Sequence, residues 1–314
     1  MSKIIRIGTR DSELALWQAT TVQQKLEALG YDTTLIPIKS TGDQVLDKPL
    51  YELGITGIFT KTLDIALLKG QIDIAVHSMK DVPTQLPKGI VKTAVLERAV
   101  TSDILVHKGT GFLTSENVST IATGSLRRKA QWLNKYPHHN VVDLRGNVNS
   151  RLLKLIENDW NGAIFAQAGL ERIKLLPKDA VELDWMVPAP AQGAMLVVAQ
   201  ENDEFSQDAS RKLNHEDSEV TTTIEREFLR TLEGGCTAPI GALAKIKDQS
   251  VHFEGVVFSL DGKQKVEIKK NMALTASSGL GQACAKEVLG MGGAKLMDAI
   301  RNNQITAPSP GGEG

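Results

Sequence analysis

Short apolar runs alternate with segments of helical periodicity through the first two thirds of the chain. Residues 4–7 predict a strand, Asp11 and Ser12 are residue types that begin helices, and Gly30 is placed to end the helix between them. Further strands are predicted over 34–39, 72–76, 118–123, 141–147 and 161–170, with helices over 60–69, 125–136 and 150–158. This alternation predicts an α/β fold whose sheet strands are mainly parallel.

Two stretches of the chain echo each other. The sequences IGTRDSELALWQ (7–18) and IATGSLRRKAQW (121–132) both run from a strand through Thr and Ser into a helix that contains Trp. We interpret the echo as two related α/β lobes, with chance similarity as the alternative. The polar, glycine-containing segment 40–59 fits no single element and is interpreted as a loop.

The last third of the chain has a different pattern. After a strand near Val197 and helices over 206–213 and 216–232, the sequence alternates as antiparallel strands do, with turns at 247–249 and 261–262. The C-terminal tail APSPGGEG has no large apolar residue, so it is predicted to be disordered. The pattern indicates a small α+β unit from about residue 216 onward.

Composition narrows the class of protein. The chain has 314 residues, of which 41% are hydrophobic and 23% charged, with a net charge of −1 and two cysteines. No apolar run approaches the ~20 residues of a membrane helix, and the balanced charge excludes a strongly basic nucleic-acid-binding protein. The N-terminus passes directly into a strand pattern, so no signal peptide is expected. Two cysteines are too few for a disulfide framework, so the expected compartment is the cytoplasm.

Arginines recur where predicted strands meet predicted helices. They are Arg10, Arg127, Arg128, Arg145, Arg151 and Arg172, and Ser12 and Ser125 stand at two of the same junctions. A helix N-terminus offers free N–H groups, and a guanidinium beside it makes an anion site at the strand ends where α/β proteins bind ligands. A single such arginine is more typical of a solvated surface, but the set indicates a ligand with several carboxylates or phosphates. No GxxxxGK[ST] or GxGxxG motif is present, which disfavours a nucleotide.

Two further segments carry reactive groups. HSMKDVP (77–83) places Lys80 and Asp81 after a buried strand, where a carboxylate can stabilise a cationic intermediate or move a proton; alternatively, Asp81 is only a turn residue. Cys236, in the loop LEGGCTAPIG, is a candidate nucleophile or attachment point, with a buried small residue as the alternative. Cys284, in an amphipathic helix, is interpreted as part of a core. The histidines show no metal-ligand spacing, so no metal is expected.

Several segments, taken together and in order, resemble the porphobilinogen deaminases, also called hydroxymethylbilane synthases. The matching segments span residues 4 to about 243 and are IGTRDSELALWQA, KSTGDQVLD, DIAVHSMKDVP, SLRRKAQ, LRGNVNSRLLKL, AGLERI, AQGA and LEGGCTAPIG. HSMKDVP and LEGGC are specific to that family. The resemblance implies an α/β fold with two lobes of the type II periplasmic-binding-protein kind and a small α+β C-terminal domain with a three-stranded antiparallel sheet.

The resemblance also implies the domain limits. Domain 1, with the catalytic aspartate, is expected over 1–97 and 194–213, and domain 2, which binds carboxylates of cofactor and substrate, over 100–188. Domain 3, with the cofactor-attachment cysteine, is expected over 216–307, followed by the tail at 308–314. A monomer is expected, with porphobilinogen as its small-molecule partner and no nucleic acid, membrane or metal.

The implied reaction joins four porphobilinogen molecules head to tail, each losing ammonia, and releases hydroxymethylbilane by hydrolysis. The product grows on a dipyrromethane cofactor held by a thioether, for which Cys236 matches the attachment cysteine, while Asp81 matches the catalytic aspartate. The expected cofactor-binding residues are Lys80, Asp81, Thr123, Ser125, Arg127 and Arg128. The expected substrate-binding residues are Arg10, Ser12, Phe59, Arg145, Arg151, Arg172 and Gln192.

The chain departs from the family pattern at three places. Thr56 stands where the family has the lysine of Gly-Gly-Lys-Gly-Leu-Phe, Gly124 stands where it has a serine, and PAQGA replaces Val-Gly-Gln-Gly-Ala. These departures leave open a catalytically impaired homologue that keeps the fold. Two α/β lobes around an anion-binding cleft are also typical of a solute-binding protein, which would need neither Cys236 nor a third domain.

Overall fold

The computed structural model describes residues 3–39, 60–233 and 238–305, so the predicted loop at 40–59 and the tail at 308–314 lie outside it. In chain order its strands are β1 (Ile5–Arg10), β2 (Thr33–Ile38), β3 (Ile74–Ser78), β4 (Ile90–Val95), β5 (Asp103–His107), β6 (Thr120–Ala122), β7 (Asn140–Val142), β8 (Gly162–Ala166), β9 (Val181–Glu182), β10 (Met195–Gln200), β11 (Ile240–Lys247), β12 (Ser250–Phe258) and β13 (Lys265–Ala273). Its α-helices are α1 (Glu13–Ala28), α2 (Lys61–Leu68), α3 (Leu126–Lys135), α4 (Val148–Glu157), α5 (Gln167–Arg172), α6 (Glu204–Arg211), α7 (Glu216–Thr231), α8 (Leu280–Val288) and α9 (Ala294–Ile305).

Two five-stranded sheets share one strand order. The first runs β2-β1-β3-β10-β4 and the second β7-β6-β8-β5-β9. The echoing stretches 7–18 and 121–132 fall on the equivalent units β1–α1 and β6–α3. A third sheet, β11-β12-β13, is antiparallel throughout. The sheets confirm the predicted α/β fold with two lobes of the type II periplasmic-binding-protein kind and a small α+β unit.

Both large sheets are mixed: in each, four of the five strands run in one direction, as predicted, and one strand runs against them. Strand β1 pairs in parallel with β2 and β3, but β10 runs antiparallel to β3 and β4. In the second sheet β6 pairs in parallel with β7 and β8, whereas β5 runs antiparallel to β8 and β9. Strands β5 and β10 each follow a segment that crosses from the other lobe without a helix, namely the outgoing segment (96–102) and the returning segment (183–194). A helical crossover, which enforces parallel pairing, is therefore missing at both places.

Helix α1 shows how the apolar pattern builds the first lobe. Ala19, Val22 and Leu26 recur at helical spacing and are buried in the same core cluster as Ile5 of β1. Burying a side chain such as Leu26 stabilises the fold by roughly 1.5–3 kcal/mol. Gly30 follows the helix with a φ of +87°, a left-handed conformation that favours glycine, and ends it as predicted.

The third unit packs α7 and α8 against the antiparallel sheet. Phe228 of α7 lies so close to Gly255 of β12 that a Cβ at position 255 would come within 2.6 Å of its ring. Asp248 and Gln249 have φ values of 49° and 54°, and Gly262 has a φ of +74°. These conformations confirm the predicted turns between the strands.

Cys284 belongs to the core of the third unit, as predicted. Its side chain is buried among residues of α7, α8 and the sheet. Burial raises the pKa of its thiol to about 11. The thiol therefore stays protonated at neutral pH and serves only in packing.

One buried carboxylate joins the three units. Glu225 of α7 is fully buried and accepts hydrogen bonds from both Nη atoms of Arg98, in the outgoing segment, at 2.7 and 2.9 Å. It also accepts from the backbone N–H of Ala191, in the returning segment, and of Ala244 in β11, each at 2.7 Å. Both segments that cross between the lobes are thus fixed to the third unit by a single side chain.

We expect Glu225→Ala to lower the free energy of unfolding by about 3–5 kcal/mol, because it leaves the Arg98 guanidinium buried without its charge partner. Urea unfolding followed by circular dichroism measures the change. The control is Glu287→Ala, whose partner Lys270 lies 2.9 Å away on the surface, and it should change the free energy of unfolding only slightly. Equal losses in the two variants would contradict the role of Glu225.

Candidate active site

The predicted site residues gather at one end of the two large sheets. Strand β1 ends at Arg10, and a turn of 3-10 helix, Met79–Asp81, follows β3. The antiparallel register sets Met195, at the start of β10, beside Ser78 at the end of β3. In the second sheet β5 likewise begins beside the end of β8, and α3 begins just after β6. Carboxyl ends of parallel strands in both sheets thus supply the site, as is usual in α/β proteins.

A buried aspartate, Asp103 at the start of β5, lies at the centre of the site. Its Oδ2 lies 2.7 Å from Nη1 of Arg127, and its Oδ1 lies 2.7 Å from Nη2 of Arg128. Gln192 donates from Nε2 to the same Oδ1 at 2.9 Å. Burial alone would raise the pKa of Asp103, but the two guanidinium groups outweigh burial and hold that pKa well below its ordinary value. Asp103 is therefore an anion that fixes both arginines.

Lys80 reaches the same cluster from the first lobe. Its Nζ donates to Oε1 of Gln192 at 3.2 Å, while Nε2 of Gln192 also donates to the carbonyl oxygen of Thr101 at 2.8 Å. Burial, with a smaller contribution from the charge of Arg128, lowers the pKa of Lys80 to about 8. Lys80 is thus a cation at neutral pH that a carboxylate ligand would stabilise.

Arg145 and Arg151 lie at the start of α4. Arg151 donates from Nε to the carbonyl oxygen of Gly146 at 2.7 Å. Burial and, to a smaller extent, repulsion by Arg128 lower the pKa of Arg151 to about 10, against the opposing charge of Asp81. Burial likewise lowers the pKa of Arg145. Both side chains stay protonated, and their lowered pKa values show that this region holds desolvated positive charge.

Two contacts join the lobes along α1. Arg172 of α5 lies 5.5 Å from the centre of the Trp17 ring, and its Nη2 donates to the carbonyl oxygen of Gly193 at 2.7 Å. Asn149 of α4 donates to the Glu13 carboxylate at 2.8 Å. Burial lowers the pKa of Arg172 to about 10. Arg172 therefore holds the first lobe and the returning segment, in addition to lying beside the site.

Asp81 is the second carboxylate of the site, and it differs from Asp103 in being only half-buried. Within the part of the chain that the structure describes, no hydrogen bond or ion pair engages its side chain. Its charge nevertheless acts on Lys80 and Arg151, which places it among the cations. Asp81 ends a 3-10 turn, and its carboxylate is left available to a ligand.

Hydroxyl residues stand at the two helix starts. Ser125 is the N-cap residue of α3, where its Oγ accepts a long hydrogen bond of 3.4 Å from the Arg128 N–H, and its own N–H donates to Oγ1 of Thr123 at 3.3 Å. Ser12 is the N-cap residue of α1 but makes no capping hydrogen bond with its side chain. Both helix N-termini can therefore assist in holding an anion.

Some predicted residues lie outside the described part of the chain, namely Thr56, Phe59 and Cys236. The sequence analysis did not identify Asp103. The signal that could have identified it is a carboxylate at the start of the apolar run DILVH.

The replacement at Gly124 has a consequence beyond one lost hydroxyl, because a Cβ there would lie 2.6 Å from the carbonyl oxygen of Leu144. The loops after β6 and β7 approach each other too closely at this point for a side chain.

Arg10 and the neighbouring His77 complete the first-lobe side of the site. Burial lowers the pKa of His77 to about 4, and the charge of Arg10 contributes to the shift, so this imidazole is neutral.

Residues 3–39, 60–233 and 238–305 contain no group of three His, Cys, Asp or Glu side chains placed to hold a metal ion. The same ranges contain no helix long and apolar enough to span a bilayer.

Two of the solved structures to which the chain is similar are binding proteins. The chain is similar to the Methionine Binding Protein MetQ at 15% identity and a TM-score of 0.44, covering 67% of this chain and 89% of that chain. It is similar to an Ancestral Cationic Amino Acid Solute Binding Protein at 13% identity and a TM-score of 0.43, covering 67% and 87%. These TM-scores are too low to decide the fold, which follows from the strand orders.

Family models and relatives cover most of the chain. Residues 5–208 match "Porphobilinogen deaminase, dipyromethane cofactor binding domain", and residues 220–290 match "Porphobilinogen deaminase, C-terminal domain". The chain is 41% identical over 278 residues to the porphobilinogen deaminase of Chloroherpeton thalassium, covering 87% of this chain and 88% of the relative. It is 42% identical over 277 residues to the chloroplastic enzyme of Oryza sativa, covering 85% and 77%. The chain therefore belongs to the porphobilinogen deaminase family.

Proposed function

We propose that the cation-lined site carries out the reaction of the family: it joins four porphobilinogen molecules head to tail with loss of ammonia and then releases hydroxymethylbilane by hydrolysis. The observation that carries the proposal is an excess of positive charge at the site. Arg127 and Arg128 are buried and pair with the fully buried carboxylate of Asp103, while the half-buried Lys80 and Arg151 lie close enough to Arg128 for their charges to interact with it. Each pyrrole ring brings an acetate and a propionate, which supply the missing negative charge.

The described residues fit a dipyrromethane cofactor. The Nε of Arg127 is buried and has no hydrogen-bond partner in the described part of the chain, so this guanidinium can still donate to a bound carboxylate. The residues that would hold the cofactor are Lys80, Thr123, Ser125, Arg127 and Arg128, with Asp81 beside them. When bound, the cofactor supplies the primer to which successive substrate units are joined.

Cys236 is the proposed attachment residue. The chain has two cysteines. Cys284 is buried in the core of the third unit with a thiol pKa of about 11, so it is neither accessible nor a thiolate at neutral pH. This elimination supports Cys236, together with its match to the family segment LEGGC.

Asp81 is the proposed catalytic residue. Loss of ammonia leaves a positive charge on the substrate, which a nearby carboxylate stabilises, and a carboxyl group can also hand a proton to the departing amine. Asp81 suits this work because its side chain is half-exposed and makes no hydrogen bond or ion pair with the described residues. The residues proposed to hold the incoming ring and the growing chain are Arg10, Ser12, Phe59, Arg145, Arg151, Arg172 and Gln192.

The proposal extends to the organisation of the chain. We place domain 1 at 1–97 and 194–213, domain 2 at 100–188 and domain 3 at 216–307. The three separate sheets and the division between the two matched family segments support these limits. A monomer in the cytoplasm is proposed from the family resemblance and from the presence of only two cysteines.

We expect Asp81→Asn to lower the turnover of porphobilinogen by about 10²–10⁴-fold, because the amide neither stabilises the cation nor transfers a proton. Product formation from porphobilinogen measures the rate, and the cofactor content should not change. The control is Asp208→Asn, which alters an exposed carboxylate paired with Arg211 and should keep full turnover. Near-normal turnover by Asp81→Asn would refute the catalytic role. No turnover by the unaltered chain would indicate the impaired homologue instead.

We expect porphobilinogen that occupies the place of the cofactor to bind less tightly as the pH rises above about 8, because Lys80 then loses its proton in the free protein and must regain it when a carboxylate binds. The affinity should fall by up to about tenfold for each pH unit, until the pH reaches the higher pKa that Lys80 has in the complex with the substrate. Calorimetry on cofactor-free Cys236→Ser protein measures the affinity. In Lys80→Met the groups of the substrate still titrate, but the loss of affinity above about pH 8 should vanish. If the affinities of the two proteins fall in parallel as the pH rises, Lys80 is not the titrating group.

A further inference from the structure

Arg226, on helix α7 of the third unit, contacts the turn that carries Lys80 and Asp81. Its Nη1 donates to the carbonyl oxygens of Met79 at 3.1 Å and of Val82 at 3.0 Å. Its Nη2 donates to the carbonyl oxygen of Pro83 at 2.5 Å. One guanidinium therefore binds three backbone carbonyls that surround the proposed catalytic residue.

The turn has few hydrogen bonds of its own. It is a single turn of 3-10 helix, Met79–Asp81, whose closing bond runs from the Val82 N–H to the Met79 carbonyl oxygen at 3.2 Å. Short 3-10 turns have poor hydrogen-bond geometry, and carbonyls at the end of a helical turn need partners from outside it. A planar guanidinium fork can satisfy several carbonyls in a fixed geometry, which a lysine ammonium cannot.

The helix that carries Arg226 is firmly placed. The preceding residue, Glu225, ties α7 to both crossing segments, and Phe228 anchors it on the sheet of the third unit. Helix α7 ends at Thr231, and Cys236 follows five positions later in the sequence. Helix α7 thus contacts the proposed catalytic turn and directly precedes, in the sequence, the segment that contains the proposed attachment residue.

We propose that Arg226 is a positioning residue, which holds the turn that contains Asp81 in a fixed position relative to helix α7. The inference rests on the proposed function of Asp81. Arg226 acts through the backbone of the turn and does not itself take part in the chemistry. Losing the clamp lets the Asp81 carboxylate move relative to the bound substrate, and small misplacements of reacting groups reduce rates strongly.

The first test is hydrogen exchange of the peptide that covers residues 79–83. In Arg226→Ala, exchange in this peptide should speed up by roughly tenfold or more while the strands β3 and β10 keep their protection. Arg226→Lys should give an intermediate rate. Arg230→Gln, an exposed arginine on the same helix, should leave the exchange unchanged. Unchanged exchange in Arg226→Ala would overturn the clamp.

The second test is a double-mutant cycle with Asp81→Asn. Arg226→Ala should lower kcat by about tenfold to a hundredfold in the unaltered background, with cofactor content and KM little changed. In the Asp81→Asn background the same change should lower kcat by less than about twofold, because the group being positioned is already gone. Equal losses in both backgrounds would show a general structural effect and overturn the proposal.

The two tests separate this inference from the proposed function. Faster exchange at 79–83 in a protein that does not convert porphobilinogen would keep the clamp and overturn the catalytic assignment. Unchanged exchange and unchanged kcat in an active enzyme would overturn the role of Arg226 and keep the catalytic assignment.

Discussion

The buried carboxylate of Asp103 is the constraint on which the site depends. An unpaired charge at this depth would be strongly unfavourable, and two guanidinium groups and an amide compensate it. The pairing fixes Arg127 and Arg128, but it leaves the neighbouring cations without an equal number of anions. Burial lowers the pKa of Lys80 to about 8, and the charge of Arg128 contributes to this shift. The positive charge of the described residues at the site is therefore fully neutralised only when an anionic ligand binds. Uncompensated charge lowers stability locally, and functional sites commonly show such a loss.

The third unit serves as a support for this arrangement. Its helix α7 presents two adjacent charged residues that act on different parts of the molecule. Glu225 binds the segments that cross between the lobes, and Arg226 binds the turn after β3. Gln192, on the returning segment, then links Lys80 of the first lobe to Asp103 of the second. Both lobes are thereby connected to α7 through backbone and side-chain hydrogen bonds.

Local patterns in the sequence predicted much of the fold and part of the site. Helix α1, ended by Gly30, and the hairpin turn at Gly262 follow from periodicity and glycine conformation, which are properties of neighbouring residues. The recurring arginines at strand ends were likewise readable, because strand–helix junctions have a local signature. Strands β4 and β5 were not identified, since both adjoin the outgoing segment and lack the helix that marks the other units.

Long-range partners could not be predicted in this way. Asp103 and Arg128 are 25 residues apart, and Arg98 and Glu225 are 127 apart, so no spacing rule connects them. The mixed sheets have the same origin, because antiparallel insertion of β5 and β10 depends on chain crossings that only the tertiary structure shows. The close approach of Leu144 to Gly124 also arises between two loops, where a sequence comparison shows only a missing hydroxyl.

The intact mass of the freshly purified protein tests the central claim most directly. The account predicts a mass excess of one dipyrromethane in the unaltered chain and in Cys284→Ser, and the bare polypeptide mass in Cys236→Ser. If the unaltered chain is isolated without cofactor, incubation with porphobilinogen should produce the same excess. An excess that persists in Cys236→Ser, or none in the unaltered chain even after incubation with porphobilinogen, would contradict a cation-lined site that holds a cofactor bound to Cys236.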